Sequence, residues 1–152
     1  MGEDSRHTAL NPSAQIVKEA NKRAKAESAR RAEPAFHMTE DMRRLSTPWF
    51  VALSRANCID PNVLPAGVIL DAAAGSGLQL VAYSQVLKRP SLGIEMDGNI
   101  AVLCAANLHI NSEEGDLQRS MDRVIIGDGS DAEGAITEYW NSLREAGTRA
   151  HP

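Results

Sequence analysis

Apolar and polar positions alternate in blocks along the second half of the chain. Three short apolar runs predict strands, near residues 68–71, 91–95 and 123–127. The stretches that follow them carry apolar residues near helical spacing and predict helices, over residues 78–88, 99–109 and 133–146. Strand and helix in strict alternation imply right-handed βαβ crossovers and a parallel sheet. We therefore expect an α/β fold, with a partial parallel sheet and flanking helices.

The chain before this pattern predicts a long helix with little apolar surface. The stretch from Pro12 to Glu33 has no glycine and no further proline, and Ser13 is a suitable N-cap. Its large apolar residues, Ile16 and Val17, lie at the start, and only alanines recur beyond them. We expect this helix to project from the protein or to fray after its first turns.

Two shorter helices are predicted next, at 39–45 with Thr39 as N-cap and at 47–56. The second is expected to bury its large apolar side chains, Trp49, Phe50 and Leu53. The chain thus divides into two expected parts. Residues 1–60 form a helical, basic N-terminal extension, and residues 66–152 form an α/β half-domain.

Length and composition place the chain among small globular proteins. It has 152 residues, of which 43% are hydrophobic, which excludes a disordered tail. Two cysteines are too few for a disulfide framework and fit a reducing interior. The N-terminal segment lacks the apolar core of a secretory signal, and no apolar run approaches the ~20 residues that span a bilayer. We expect a soluble cytoplasmic protein without membrane contact.

The charge is unevenly distributed along the chain. Residues 15–45 hold eight basic and five acidic residues, whereas residues 46–152 hold seven basic and thirteen acidic residues. A basic segment of this kind marks either a nucleic-acid contact or a solvated helix surface. The candidate RNA contacts are Lys18, Lys22, Arg23, Lys25, Arg30 and Arg31.

Carboxylates follow all three predicted strands. Asp71, Glu95 and Asp128 come at the strand ends, and Gly75-Ser76-Gly77 opens the helix after the first strand. Open α/β sheets bind ligands at the carboxyl ends of their strands, and a carboxylate after the second strand suits ribose hydroxyls. Three negative charges disfavour a phosphate-rich ligand and favour a cationic, nucleoside-bearing one.

The motifs VILDAAAGSG, GIEMD and IIGDG together resemble the cofactor-binding half of class I S-adenosylmethionine-dependent methyltransferases. The resemblance covers about residues 68–147 and implies a Rossmann-like sheet. The run AANLHIN and the GSG turn are also similar to RNA methyltransferases, which makes RNA (tRNA or rRNA) the expected acceptor. The cofactor-binding residues that the resemblance implies are Asp71, Ala73, Gly75, Ser76, Gly77, Glu95, Met96 and Asp128.

Each of these residues has an expected role. By the resemblance, Asp71 and the backbone of residues 73–77 would hold the methionine part of the cofactor. Glu95 would bind the ribose, Met96 would pack on the adenine, and Asp128 would accept a hydrogen bond from the adenine amine.

Local explanations compete with these roles. Asp71 suits a helix cap, Asp128 lies in turn-rich text, and Asp97 is better explained as the cap of the helix that begins at residue 98. Cys104 falls in a predicted buried helix, which favours a core thiol over a nucleophile. The histidines and cysteines show no metal-ligand spacing.

The chain also departs from the family pattern. Ala73 replaces the first glycine of the loop, which is tolerable if its φ stays negative. No motif like those that follow the family's fourth strand occurs before Pro152, so the catalytic residues are unknown.

In a sheet of order 3-2-1 the first strand becomes an open apolar edge. The sequence leaves three explanations: a chain truncated from a longer protein, which we favour; cover by the basic helices; or completion by another chain.

Two other functions remain open. One is a truncated, inactive cofactor-binding fragment or partner subunit. The other is a nicotinamide dinucleotide-binding protein, which Leu80 disfavours because the third glycine of that motif would stand there.

Overall fold

The computed structural model describes residues 14–31, 33–112, 120 and 123–149. Three strands form one parallel sheet: β1 (Ile69–Asp71), β2 (Ser91–Glu95) and β3 (Val124–Ile126). The α-helices of the described residues are α1 (Ala14–Arg31), α2 (Glu40–Leu45), α3 (Trp49–Asn57), α4 (Leu78–Leu87), α5 (Gly98–Ile110) and α6 (Ala132–Arg149). The α/β class and the parallel sheet are confirmed, and the arrangement is consistent with part of a Rossmann-like fold.

The sheet has the order β1-β2-β3, with β2 in the centre. Ile69 lies opposite Ser91, and Glu95 lies opposite Ile126. Because all three strands are parallel, their carboxyl ends meet at one edge of the sheet. Asp71 and Glu95 are the last residues of β1 and β2, so the topology brings the loops that follow them together.

One hydrophobic cluster joins the N-terminal helices to the sheet and its helices. It contains Phe36 and Ala52 together with Leu80, Cys104 and Val124. The proposed division into an extension and a half-domain stays a prediction, but the two parts share this core.

Helix α1 packs against the protein and does not project from it. Ala24 is only 5% exposed, and the Asn21 Oδ1 atom lies 2.8 Å from the His37 Nε2 atom. Arg43 forms a salt bridge of 3.3 Å with Glu27 at the other end of the helix. The expectation of a projecting helix was wrong because polar side chains of α1, Asn21 and Glu27, bind residues near α2, and a pattern of apolar positions does not reveal such contacts. The predicted cap Ser13 lies outside the described residues.

The two short helices agree with the predicted positions but not with the predicted buried face. The Thr39 Oγ1 atom accepts a hydrogen bond of 3.1 Å from the Met42 backbone N–H, which confirms the N-cap. In α3 the buried residues are Ala52 and Ala56, whereas Phe50 is 73% exposed. Helix α3 makes its main contact with α4. The prediction is wrong for Phe50, whereas Trp49 is partly buried and packs against the core, with its ring 5.8 Å from that of Phe36.

Strand β1 pairs with β2 and with no other strand among the described residues. Val68 is 58% exposed beside this edge, and Leu70 is 44% exposed within it. An open apolar edge, as the strand order predicted, is therefore present in the described part of the chain. Most of residues 111–121, between α5 and β3, lie outside that part. None of the described helices is long and apolar enough to cross a membrane.

The packing of α3 can be tested with two substitutions on the same helix. We expect Ala52→Leu to lower the free energy of unfolding by about 1–3 kcal/mol, because Ala52 is fully buried and the added atoms overpack the contact. Phe50→Ser should change it by no more than about 0.5 kcal/mol. Denaturation in urea measures both values, and a greater loss from Phe50→Ser would contradict the observed orientation.

Candidate functional site

A glycine-containing loop joins β1 to α4 at the carboxyl edge of the sheet. Gly75 has a φ of 50° and Gly77 a φ of 75°, both in the left-handed region. A Cβ atom at Gly77 would also lie 2.8 Å from the Cys104 Sγ atom, so a larger residue would be strained and crowded. Ala73 does not have a positive φ, which confirms that alanine is tolerated where the family pattern has glycine.

Glu95 holds this loop against the end of β2. Its Oε2 atom accepts a hydrogen bond of 2.9 Å from the Gly75 backbone N–H, and its Oε1 atom accepts one of 3.0 Å from the Asp97 N–H. The side chain is half-buried. Two carboxylate oxygens offer about four lone-pair sites, so this carboxylate can accept further hydrogen bonds from a ligand.

The neighbouring carboxylates are engaged in their own turns. Asp71 Oδ1 accepts a hydrogen bond of 3.0 Å from the Ala73 N–H. Asp128 Oδ1 accepts one of 2.8 Å from the Ser130 N–H, and hydrogen bonds from the side chain and the backbone of Ser130 lower the pKa of Asp128. The contacts of Asp128 are therefore those of a turn residue, and its contact with an adenine stays a prediction.

Asp97 is a helix cap, as expected. Its Oδ1 atom accepts hydrogen bonds of 2.8 Å and 3.2 Å from the N–H groups of Asn99 and Ile100. These contacts begin helix α5 directly after the strand that carries Glu95. Capping therefore helps to fix the chain that leaves the central strand at this edge.

Cys104 confirms the expectation of a buried core thiol. Burial, together with the negative charges of Asp71 and Glu95, raises its pKa to about 12. The thiol is therefore neutral at physiological pH and is a poor nucleophile. The same effect indicates a negative electrostatic potential beneath the glycine-containing loop.

The loops after β1 and β3 lie in close contact. A Cβ atom built at Gly129 would overlap the Ala72 carbonyl oxygen. Gly129 directly follows Asp128, so the absence of a side chain at this position lets the third carboxylate approach the loop after β1. The close contact also makes the crevice between these loops narrow.

A pocket of about 500 Å³ lies against the glycine-containing loop. It is lined by loop residues, by residues in and around α2, and by Asn99, Ile100 and Leu103 of α5. Its lining does not include Asp71, Glu95, Met96 or Asp128. Asp71 lines a smaller pocket of about 240 Å³ beside β1, with Gln79 and Tyr83.

Some of the predicted site residues line the larger pocket, whereas Asp71, Glu95, Met96 and Asp128 lie outside its lining. Ala73, Gly75 and Ser76 line the larger pocket, and Glu95 reaches the same loop from β2. Met96 follows Glu95 and is 74% exposed, with its thioether open to solvent.

Sequence reasoning missed the contacts of Asn107, which is fully buried in α5. Its Oδ1 atom accepts a hydrogen bond from the His37 N–H, and its Nδ2 atom donates to the carbonyl oxygens of His37, at 2.9 Å, and of Ser76, at 2.7 Å. A signal was present: Asn107, near the end of the largely apolar helix α5, and Asn111, directly after it, are four residues apart, which places two amides on one side.

The basic side chains of α1 lie at the surface. Lys18, Lys22 and Lys25 are exposed and share one stripe of the helix, since they are four and three residues apart. Arg23 and Arg30 are also exposed, and the side chain of Arg31 lies outside what the structure describes. Their exposure is compatible both with RNA contacts and with a solvated surface.

Glu95 and the glycine-containing loop offer hydrogen-bonding groups at the carboxyl end of the central strand. Within the described part of the chain, no three His, Cys, Asp or Glu side chains are grouped to hold a metal. Glu95 has acceptor capacity for ribose hydroxyls at the end of the central strand. The glycine-containing loop beside it permits close approach of a ligand to the backbone.

Comparison with known proteins found no matching family model, no matching curated protein and no matching solved structure. The likeness to methyltransferases therefore depends on the sequence motifs alone.

The contact between the two loops can be tested with a pair of glycine variants. Gly129→Ala should lower the free energy of unfolding by about 1–3 kcal/mol, because the Ala72 backbone must move. Gly98→Ala is the matched control: the nearest atom to its Cβ would be 3.8 Å away, and we expect it to be neutral or to stabilise by about 0.4–1 kcal/mol. Thermal unfolding measures both; a Gly129→Ala protein as stable as the control would contradict the contact.

Proposed function

We propose that this chain binds S-adenosylmethionine at the carboxyl edge of its sheet and acts in cytoplasmic methyl transfer to RNA (tRNA or rRNA). The observation that carries the proposal is the hydrogen bond between Glu95 and the Gly75 N–H. It joins the acidic end of the second strand to the loop after the first, which are the two elements that the family uses for this cofactor.

The other residues take the roles that the resemblance to methyltransferases implies. Glu95 accepts hydrogen bonds from the ribose hydroxyls, and Met96 offers an exposed apolar surface to the adenine. Asp128 accepts a hydrogen bond from the adenine amine, while Asp71 and the backbone of residues 73–77 bind the methionine part. The three carboxylates favour a cationic sulfonium over a phosphate-bearing ligand.

Methyl transfer from a sulfonium needs little covalent chemistry from the protein. The cofactor supplies the activated methyl group when it is bound. The chain contributes binding and orientation, through Glu95 and the glycine-containing loop, together with a fixed electrostatic environment. The acceptor-activating residues are not assigned.

Cofactor binding can be measured by calorimetric titration of the chain with S-adenosylhomocysteine. We expect micromolar affinity, and we expect Glu95→Ala to weaken binding by about 1.5–3 kcal/mol, since a charged hydrogen-bonding partner is lost. Asp60→Ala is the control, because Asp60 is an exposed carboxylate that accepts from the Asn62 N–H in the connection between α3 and β1. Binding that Glu95→Ala leaves unchanged would refute the assigned pocket.

The exposed lysines of α1 support RNA as the acceptor. Phosphate contacts dominate nucleic-acid affinity, and an exposed stripe of cations on one helix can follow a phosphate backbone. The acidic remainder of the chain would repel RNA elsewhere, which favours α1 as the contact.

RNA binding by α1 can be tested through its salt dependence. We expect the double variant Lys22→Gln/Lys25→Gln to reduce the slope of log affinity against log salt by about 0.7 for each single-strand phosphate contact that is lost. Lys88→Gln, an exposed lysine after α4, should leave the slope unchanged. Fluorescence anisotropy with a labelled RNA between low and high salt gives the slopes. Equal slopes for all proteins would leave α1 as a solvated helix surface.

A second candidate is a cofactor-binding subunit without its own acceptor site. The exposed edge of β1, with Val68 and Leu70 open to solvent, favours this alternative. The two functions separate in one assay, since the subunit would bind S-adenosylhomocysteine but transfer no labelled methyl group to RNA.

A further inference from the structure

The side-chain amide of Asn107 makes three hydrogen bonds to two distant segments and uses both of its N–H donors. Its oxygen accepts from the His37 N–H, and its nitrogen donates to the carbonyl oxygens of His37 and Ser76. The residue is 0% exposed, so water cannot replace a partner that is lost. The side chain therefore fixes both segments relative to α5.

The bond to Ser76 acts on the glycine-containing loop. Ser76 follows Gly75, whose N–H donates to Glu95, and both loop glycines have positive φ. Glycine has little intrinsic preference for one backbone conformation, so contacts from outside must fix the loop. The Ser76 Oγ atom, 3.1 Å from the Ser46 Oγ atom, provides a second such contact.

We propose that Asn107 is a positioning residue for ligand binding at the glycine-containing loop. It holds the Ser76 carbonyl oxygen and thereby orients the Gly75 N–H toward Glu95. The identity of the ligand rests on the proposed function, whereas the action on the loop does not depend on it.

Asn111, the residue that follows α5, offers a matched control. Its Nδ2 atom donates to the Ala35 carbonyl oxygen at 2.8 Å and to the Asn107 carbonyl oxygen at 3.0 Å. Both asparagines thus tie the segment before α2 to α5, but neither of these two bonds of Asn111 reaches the loop. A merely structural role would make the two substitutions equivalent in their effect on ligand affinity.

The experiment compares Asn107→Ala with Asn111→Ala in the full chain. Calorimetry with S-adenosylhomocysteine gives the dissociation constants, and amide hydrogen exchange by NMR reports protection of the Gly75 N–H. We expect Asn107→Ala to raise the dissociation constant by about tenfold and to speed Gly75 exchange. Asn111→Ala should lower the unfolding temperature but keep the dissociation constant within about twofold of the unsubstituted chain.

The outcomes are distinct. Unchanged Gly75 exchange in Asn107→Ala, or the same weakening of binding by both variants, overturns the proposal. If the unsubstituted chain fails to bind S-adenosylhomocysteine, the proposed function falls, and the exchange comparison alone decides the role of Asn107. If Asn107→Ala does not fold, the smaller polar variant Asn107→Ser replaces it in the same comparison.

Discussion

The buried amide of Asn107 is the constraint on which the arrangement around the site depends. A fully buried amide must have partners for all of its hydrogen-bonding groups, because each group that is left unpaired costs free energy. Here the partners come from the backbone at His37, before α2, and at Ser76, after β1. Hydrophobic packing alone tolerates small sliding of one segment on another, whereas these bonds specify one relative position. The N-terminal helices and the glycine-containing loop are therefore fixed by the same side chain.

A second constraint is the negative charge at the carboxyl edge of the sheet. Asp71 and Asp128 each bind an N–H two residues further along the chain, while Glu95 reaches across to Gly75. Local turns thus organise the two outer carboxylates, and a contact between strands organises the central one. Burial raises the pKa of the Cys104 thiol beneath the loop, and the negative charges of Asp71 and Glu95 add to this effect. A ligand with positive charge would relieve this concentration of like charge.

The sequence predicted those features that depend on local pattern. The three strands, the helices that follow them and the Thr39 and Asp97 caps agree with the structure, because apolar spacing and cap chemistry act over a few residues. The predicted burial of Phe50 was wrong for a different reason. A helix pattern identifies an apolar surface, but which part of it touches a neighbour depends on how closely that neighbour approaches. Helix α4 approaches the alanines of α3 and leaves Phe50 exposed.

The candidate site was predictable to the same extent. The order of Asp71, Glu95 and Asp128 follows from parallel strands, and the tolerance of Ala73 follows from its φ. The pocket beside α2 was not predictable, since it depends on how a segment about thirty residues away in sequence packs against the loop. Residues before β1 contribute to this pocket, whereas Glu95 ends β2 and Asp128 follows β3. Under the proposed function, the ribose contact therefore comes from the central strand and the adenine contact from the loop after β3. The open edge of β1 lies beside Asp71, so completion of that edge bears on the methionine end and the acceptor, and not on the nucleoside.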